Sequence, residues 1–370
     1  MSKKISTSNY KPGLDIEFVK EKYHLKDVIK LASNENPCGP SEIAIKAFDK
    51  EIRSLNRYPD GKCTQLKKQL VKSLSRRFVK QDNIIVGNGS SEIIELIGKT
   101  FLSANDEILF SKHSFIVYKL VANFTGSKVI ESKLITKHGK EFMSSDLDDM
   151  YKKITKKTKV IFIANPANPT GAIISNKKID DFISKVSTKI IIVIDEAYIE
   201  YACERGHKSA INLVNKFKNI IVTRSFSKIY ALAGTRIGYG IANKDLISKL
   251  NNKRQPFNVN MVAQAMARAS LKDSKFLKRS LITYNSSRLY LYKQFDKLSL
   301  KYIDSYANFI TIYFGKNVKR VFNELLKNGI ILRPLENYGL QNYLRMTIGN
   351  SRECRKFVKI LKNILGVSDA

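Results

Sequence analysis

Residues 83–101 read NIIVGNGSSEIIELIGKTF: a short β-branched run, a glycine turn and an amphipathic stretch in unbroken succession. Ile84, Ile85 and Val86 suit a buried strand, and Ile93, Ile94, Ile97 and Phe101 recur at helical spacing, so a helix is expected from Ser90 to Phe101. Strand, turn and helix in that order build a parallel sheet. The signature recurs downstream in Glu107–Ser111, Lys159–Ala164, Lys189–Asp195 and Asn219–Thr223, short apolar runs that each end in polar residues. An α/β fold with a mostly parallel central sheet follows. In such sheets ligands gather where the carboxyl ends of the strands converge.

The remaining composition sets limits. A chain of 370 residues can bury one large core and a smaller second one. Its 43% apolar content, with 17 tyrosines and 19 phenylalanines, is that of an ordered globular protein. The amino terminus MSKKISTSNYKPG has no apolar signal core, and no run approaches the roughly 18 apolar residues that span a bilayer, so a cytoplasmic protein with no membrane partner is expected. Cys38, Cys63, Cys203 and Cys354 are scattered and read as free thiols. His24, His113, His138 and His207 form no ligand pair, so no metal site is expected. The net charge of +32 could mark a nucleic-acid-binding protein. However, the lysines are spread along the whole chain, and Lys, Ile and Asn share AT-rich codons, so base composition accounts for the charge and no nucleic-acid partner is expected.

Two nucleotide motifs fail on spacing. Gly98-Lys99-Thr100 ends like a P-loop, but Ile93 occupies the place of its first glycine; Gly87-Asn88-Gly89 begins like a dinucleotide fingerprint, but Glu92 occupies the place of its third. What remains is an anion-binding turn, in which bare glycines admit an anion, Ser90 and Ser91 offer hydroxyls and the helix start offers free N–H groups. Residues 224–237, RSFSKIYALAGTRI, place Ser225, Ser227, Lys228 and Arg236 just beyond the strand that ends at Thr223. An amine among hydroxyls, with an arginine at fixed distance, suits covalent capture of a carbonyl compound beside a bound phosphate.

The run SFSK…AGTRIGY, residues 225–239, resembles the lysine motif of the fold-type I aminotransferases, which use pyridoxal 5′-phosphate (PLP). The resemblance implies that Lys228 carries PLP covalently and that Arg236, Ser225 and Ser227, with Ser90 and Ser91, hold its phosphate. The turn Asn165–Gly171, NPANPTG, is similar to a second family motif, which assigns Asn168 to the cofactor's 3′-oxygen; two prolines stiffen that turn. In Asp195-Glu196-Ala197-Tyr198 the resemblance gives Asp195 to the pyridinium nitrogen and Tyr198 to the 3′-oxygen, and Phe115 stands where the family often stacks a tyrosine on the ring. An opposite charge beside a titrating nitrogen moves its pKa by about 1–3 units, which keeps the ring protonated and able to accept electrons.

The ends of the chain narrow the likeness. Asn9–Leu14, Ile29–Glu42, Arg57–Lys62 and Leu332–Ser351 resemble the terminal signatures of histidinol-phosphate aminotransferases. That likeness implies a large PLP-binding domain over residues 48–270 and a small α+β domain over 271–370, joined by an amino-terminal arm, 1–47, that belongs partly to it. It also implies a homodimer in which Tyr58 reaches the neighbouring subunit's cofactor phosphate. The expected reaction exchanges an amino group between histidinol phosphate and 2-oxoglutarate, giving imidazole-acetol phosphate and glutamate, with Lys228, Asp195 and Tyr198 as the catalytic set. One pocket must then accept a phosphate and a carboxylate in turn, a task for guanidinium groups. Arg345 is expected as the principal clamp, with Arg333, Tyr10 and Asn36 shaping the pocket. An aromatic aminotransferase and a threonine-phosphate decarboxylase share the cofactor motifs and are the alternatives.

Overall fold

A computed structural model describes residues 13–367. Tyr10 lies outside the described residues. Among the described residues thirteen strands occur in chain order: β1 Ile29–Lys30, β2 Ile84–Gly87, β3 Glu107–Ser111, β4 Lys128–Ser132, β5 Thr158–Ala164, β6 Ile191–Asp195, β7 Ile220–Ser225, β8 Gly238–Ala242, β9 Lys301–Tyr302, β10 Phe309–Tyr313, β11 Ile330–Ile331, β12 Arg333–Pro334 and β13 Tyr343–Thr347. Seven form the central sheet in the order β2-β8-β7-β6-β5-β3-β4. All neighbours in it are parallel except those of β8, which runs antiparallel to both β2 and β7.

Because successive side chains point to opposite faces, each strand feeds two cores. Ile84, Leu109, Ile161, Ile192 and Val222 pack on one side. Ile85, Phe110, Phe162, Val193 and Ile221 pack on the other, against Ile93, Ile94 and Ile97 of the helix Gly89–Phe101. Strands buried on both faces must read as continuous apolar runs, which explains why five of them were visible in the sequence.

A second lobe is built on the antiparallel sheet β12-β13-β10-β9 and the parallel pair β1-β11. Phe309, Ile312, Leu344 and Phe357 fill its core beneath the helices Ser274–Lys297, Val318–Lys327 and Ser351–Leu365. The division expected after residue 47 falls inside the helix Glu42–Glu51, which packs against the helix Met261–Ser270 of the large lobe.

Register sets the site. Ala164 pairs with Asp195 and Asp195 with Thr223, while Ser225 and Gly87 both pair with Gly238, so the ends of five strands present these residues in one row.

Candidate active site

Asp195 closes β6 and is 5% exposed. Burial raises its pKa, and three donors oppose the shift: Tyr118 Oη to one carboxylate oxygen at 3.0 Å, and Thr223 Oγ1 and the Ala197 N–H to the other at 3.1 and 3.2 Å. They fix the plane of the carboxylate. Tyr118 is itself fully buried and stacked on Phe162, with ring centroids 4.5 Å apart. Three residues on, Tyr198 receives the Asn34 side-chain amide at 2.9 Å and that of Asn168 at 3.4 Å. Burial pushes its hydroxyl up to about 12, against the pull of Arg345.

The turn expected to receive an anion is shaped by close approaches. A β-carbon on Gly238 would lie 2.4 Å from the Ser90 nitrogen, and one on Gly89 would lie 2.7 Å from Arg236 Nη2, so both positions must be bare. Gly89 also has φ +74°. Arg236 donates to Ala233 O at 2.9 Å and reaches Ser227 Oγ at 3.4 Å, while Ser225 Oγ accepts the Ser227 N–H at 3.0 Å. Serine hydroxyls, a guanidinium and a helix start thus face one another.

Lys228 lies between these two halves. Its Nζ is 5.7 Å from the Tyr198 ring centroid and 3.4 Å from Ser33 O. Burial, and then the charge of Arg345, lower its pKa to about 8, so an appreciable share of the amine is neutral at mildly alkaline pH. Arg345 is buried, and burial lowers its pKa too. It donates to Asn168 Oδ1 at 2.5 Å and to Ala32 O at 2.9 Å, but its Nε has no partner among the described residues, nor does Asn34 Oδ1. Arg333 stands directly opposite Arg345 on β12. Two like charges held in register repel, and an anion between them removes that cost.

One cavity of about 310 Å³ is lined by Ser90, Ser91, Phe115, Asn168, Asp195, Tyr198, Ser225, Ser227, Lys228, Arg236, Arg333 and Arg345. Of the fourteen expected site residues that lie among the described ones, these twelve line the cavity. Asn36 is not on its wall: its amide donates to Ile229 O at 2.8 Å and Ser280 Oγ at 3.2 Å, bracing the segment after Lys228. Tyr58 is 83% exposed and stacks on Phe257 outside the cavity. Sequence reasoning missed Tyr118, Thr223, Asn34 and Tyr338. Thr223 was signalled by its place at a strand end. Tyr118 sits inside a helix and Tyr338 in a short turn, with no motif to separate either from packing residues. No group of three or more His, Cys, Asp or Glu able to hold a metal occurs among the described residues, and no described helix is long and apolar enough to cross a membrane.

Comparison with known proteins agrees with this architecture. A histidinol-phosphate aminotransferase of Moorella thermoacetica is 39% identical over 98% of this chain and 92% of its own length. One of Caldicellulosiruptor saccharolyticus is 42% identical over 97% and 98%. Among solved structures, the histidinol-phosphate aminotransferase of Clostridium acetobutylicum superposes with a TM-score of 0.83 at 29% identity, covering 92% of this chain and 99% of that one. That of Sinorhizobium meliloti, solved in complex with pyridoxal-5′-phosphate, gives 0.86 at 21% identity over 99% and 98%, a likeness of fold. The family model for aminotransferase class I and II matches residues 26–361, and with these relatives it establishes that the chain belongs to the class I and II aminotransferases.

Proposed function

We propose that this protein is a PLP-dependent histidinol-phosphate aminotransferase, exchanging an amino group between L-histidinol phosphate and 2-oxoglutarate to give imidazole-acetol phosphate and L-glutamate. The observation that carries the reading is a desolvated lysine in the same cavity as a buried, triply hydrogen-bonded aspartate. The names borne by relatives near 40% identity over nearly the whole chain support the substrate.

Each part of PLP has a matching set of residues. Ser90, Ser91, Ser225, Ser227 and Arg236 would take its phosphate, Asn168 and Tyr198 its 3′-oxygen, Asp195 its ring nitrogen and Phe115 one ring face. When bound, PLP supplies an aldehyde for covalent capture of amines and a ring that stores an electron pair. The protein does the rest. Asp195 holds a proton on the ring nitrogen, and the low-dielectric surroundings that raise its own pKa strengthen that attraction. Lys228 Nζ would be the amine that holds the group's carbonyl carbon and, when free, would take and return the proton at the substrate carbon. Arg345 presents a fork that grips a phosphate or a carboxylate equally, with Arg333 adding charge beside it.

The proposal includes a cytoplasmic homodimer, with Tyr58 of each subunit serving the other's phosphate site. Ile43, Ile45, Phe48, Ile52, Leu55 and Tyr58 are all exposed along one stretch, which supports an apolar contact face there.

The test is a half-reaction. Histidinol phosphate, tyrosine and threonine phosphate are each added to the PLP-loaded protein, and loss of the bound cofactor's visible absorbance is followed. Histidinol phosphate should discharge it fastest. If tyrosine or threonine phosphate does so and histidinol phosphate does not, the substrate is wrong and the family assignment stands.

A further inference from the structure

Asparagine is among the strongest N-cap residues, its side-chain oxygen accepting the second or third N–H of the helix it precedes. This chain uses it that way at Asn243, Asn260 and Asn350, each of which accepts an N–H of the helix that follows. Asn212 and Asn317 do not, but both are in the helical region and continue a 3-10 turn. Asn88, the N-cap of the helix Gly89–Phe101, makes no such bond, although its φ of −68° and ψ of 75° are not helical. Its amide is turned away and donates to Asn258 O at 2.6 Å.

The Asn258 carbonyl that accepts it is held in place by a carboxylate that also takes the Asn88 backbone N–H. Glu92 Oε2 accepts the Asn88 backbone N–H and, at 2.8 Å, the Asn258 side-chain amide. Asn258 Oδ1 in turn accepts Arg254 Nη1 at 2.7 Å. Gly87 leaves space for this arrangement, since a β-carbon there would lie 2.9 Å from Glu92 Oε2. The result is a carboxylate placed next to an anion site yet spent on the outer side of the turn. It satisfies the Asn88 N–H, and those of Ser90 and Ser91, the second and third of the helix, have no intrahelical or side-chain partner among the described residues.

We infer that Glu92 and Asn258 are positioning residues that hold the Asn88 amide off the helix end, keeping the Ser90 and Ser91 N–H groups for the cofactor phosphate. The inference rests on the phosphate-site reading above. Without Glu92, Asn88 relaxes into an ordinary N-cap and competes with the phosphate for the same two donors.

The competition is tested by PLP titration of the full-length, cofactor-stripped protein, read by absorbance at equilibrium. Glu92→Ala should weaken PLP binding about tenfold, the equilibrium equivalent of a good N-cap bond. In an Asn88→Ala background, where no competitor remains, the same substitution should cost less than about twofold. Glu92→Gln, which keeps an acceptor for the Asn88 N–H, should recover most of the affinity and serves if the alanine variant does not fold. Equal losses in the two backgrounds would mean that Glu92 merely supports the turn, and the inference would fall. An unaltered affinity in Glu92→Ala would have the same force. If the unsubstituted protein takes up no PLP, the cofactor reading itself has failed.

Discussion

Lys228 is an amine that burial and two guanidinium groups, Arg345 and Arg236, discourage from carrying a proton, with Glu35 and Asp195 pulling the other way. Its pKa of about 8 in the folded chain compares with an ordinary value of 10.5. Below about pH 8 both folded and unfolded chains hold the proton, and the folded one bears the cost of burying it. From there to the ordinary value only the unfolded chain binds it, so rising pH favours folding across that window. The cofactor-free Lys228→Met variant should therefore be more stable than the unsubstituted protein at neutral pH, and the gap should narrow as the pH is raised towards about 10. Urea midpoints of both proteins at the two pH values measure this, and the tyrosine titrations common to both cancel. At this scale Lys228, Asp195 and Asn168, which the fold brings to one cavity, were readable, because motifs keep them at fixed distances from prolines, glycines and strand ends. Tyr118 was not, since it meets Asp195 only across a separation of 77 positions in the chain.

Strands with apolar faces on both sides announce themselves; those that serve another purpose do not. β8 alternates glycine with larger residues because its backbone must pass against the turn at Gly89 and Ser90, and in the sequence it merges with the motif that precedes it. β4, at the edge of the sheet, mixes lysine and glutamate with two apolar residues, and the strands β9, β11 and β12 of the second lobe are only two residues long, too short to carry a period. The demands on β8 are unequal along its length. The three atoms nearest a β-carbon on Gly238 are backbone atoms at 2.4–2.8 Å, whereas one on Gly240 meets the Ile93 and Ile85 Cγ2 methyls at 3.0 and 3.1 Å, which must give by only a few tenths of an ångström. Gly238→Ala should thus lower both thermal stability, by about 1–3 kcal/mol as for other overpacked sites, and PLP affinity. Gly240→Ala should lower stability alone. Thermal scans with and without PLP separate the two.

For the molecule as a whole, the apolar stretch from Ile43 to Tyr58 is where the proposed dimer is most exposed to test. Paired Ile43→Asp and Leu55→Asp substitutions should reduce the mass in light scattering to the 42.1 kDa of one chain, and PLP affinity should fall with it, as Tyr58 would no longer reach a second subunit. The net charge of +32, the most conspicuous property of the composition, pointed to nothing in the fold, because charges spread along every element say little about which face they share. The pairing of β1 with β11 reaches further than its two residues suggest. Leu31 O accepts the Thr347 N–H and Ala32 O accepts Arg345, so a strand made among the first thirty residues finds its neighbours only near the carboxyl end. As the ribosome delivers the chain, the central sheet has all its strands once residue 242 has emerged, while the guanidinium wall must wait for residue 347. A prematurely ended product would keep Lys228 and Asp195 and lack both arginines that line the same cavity.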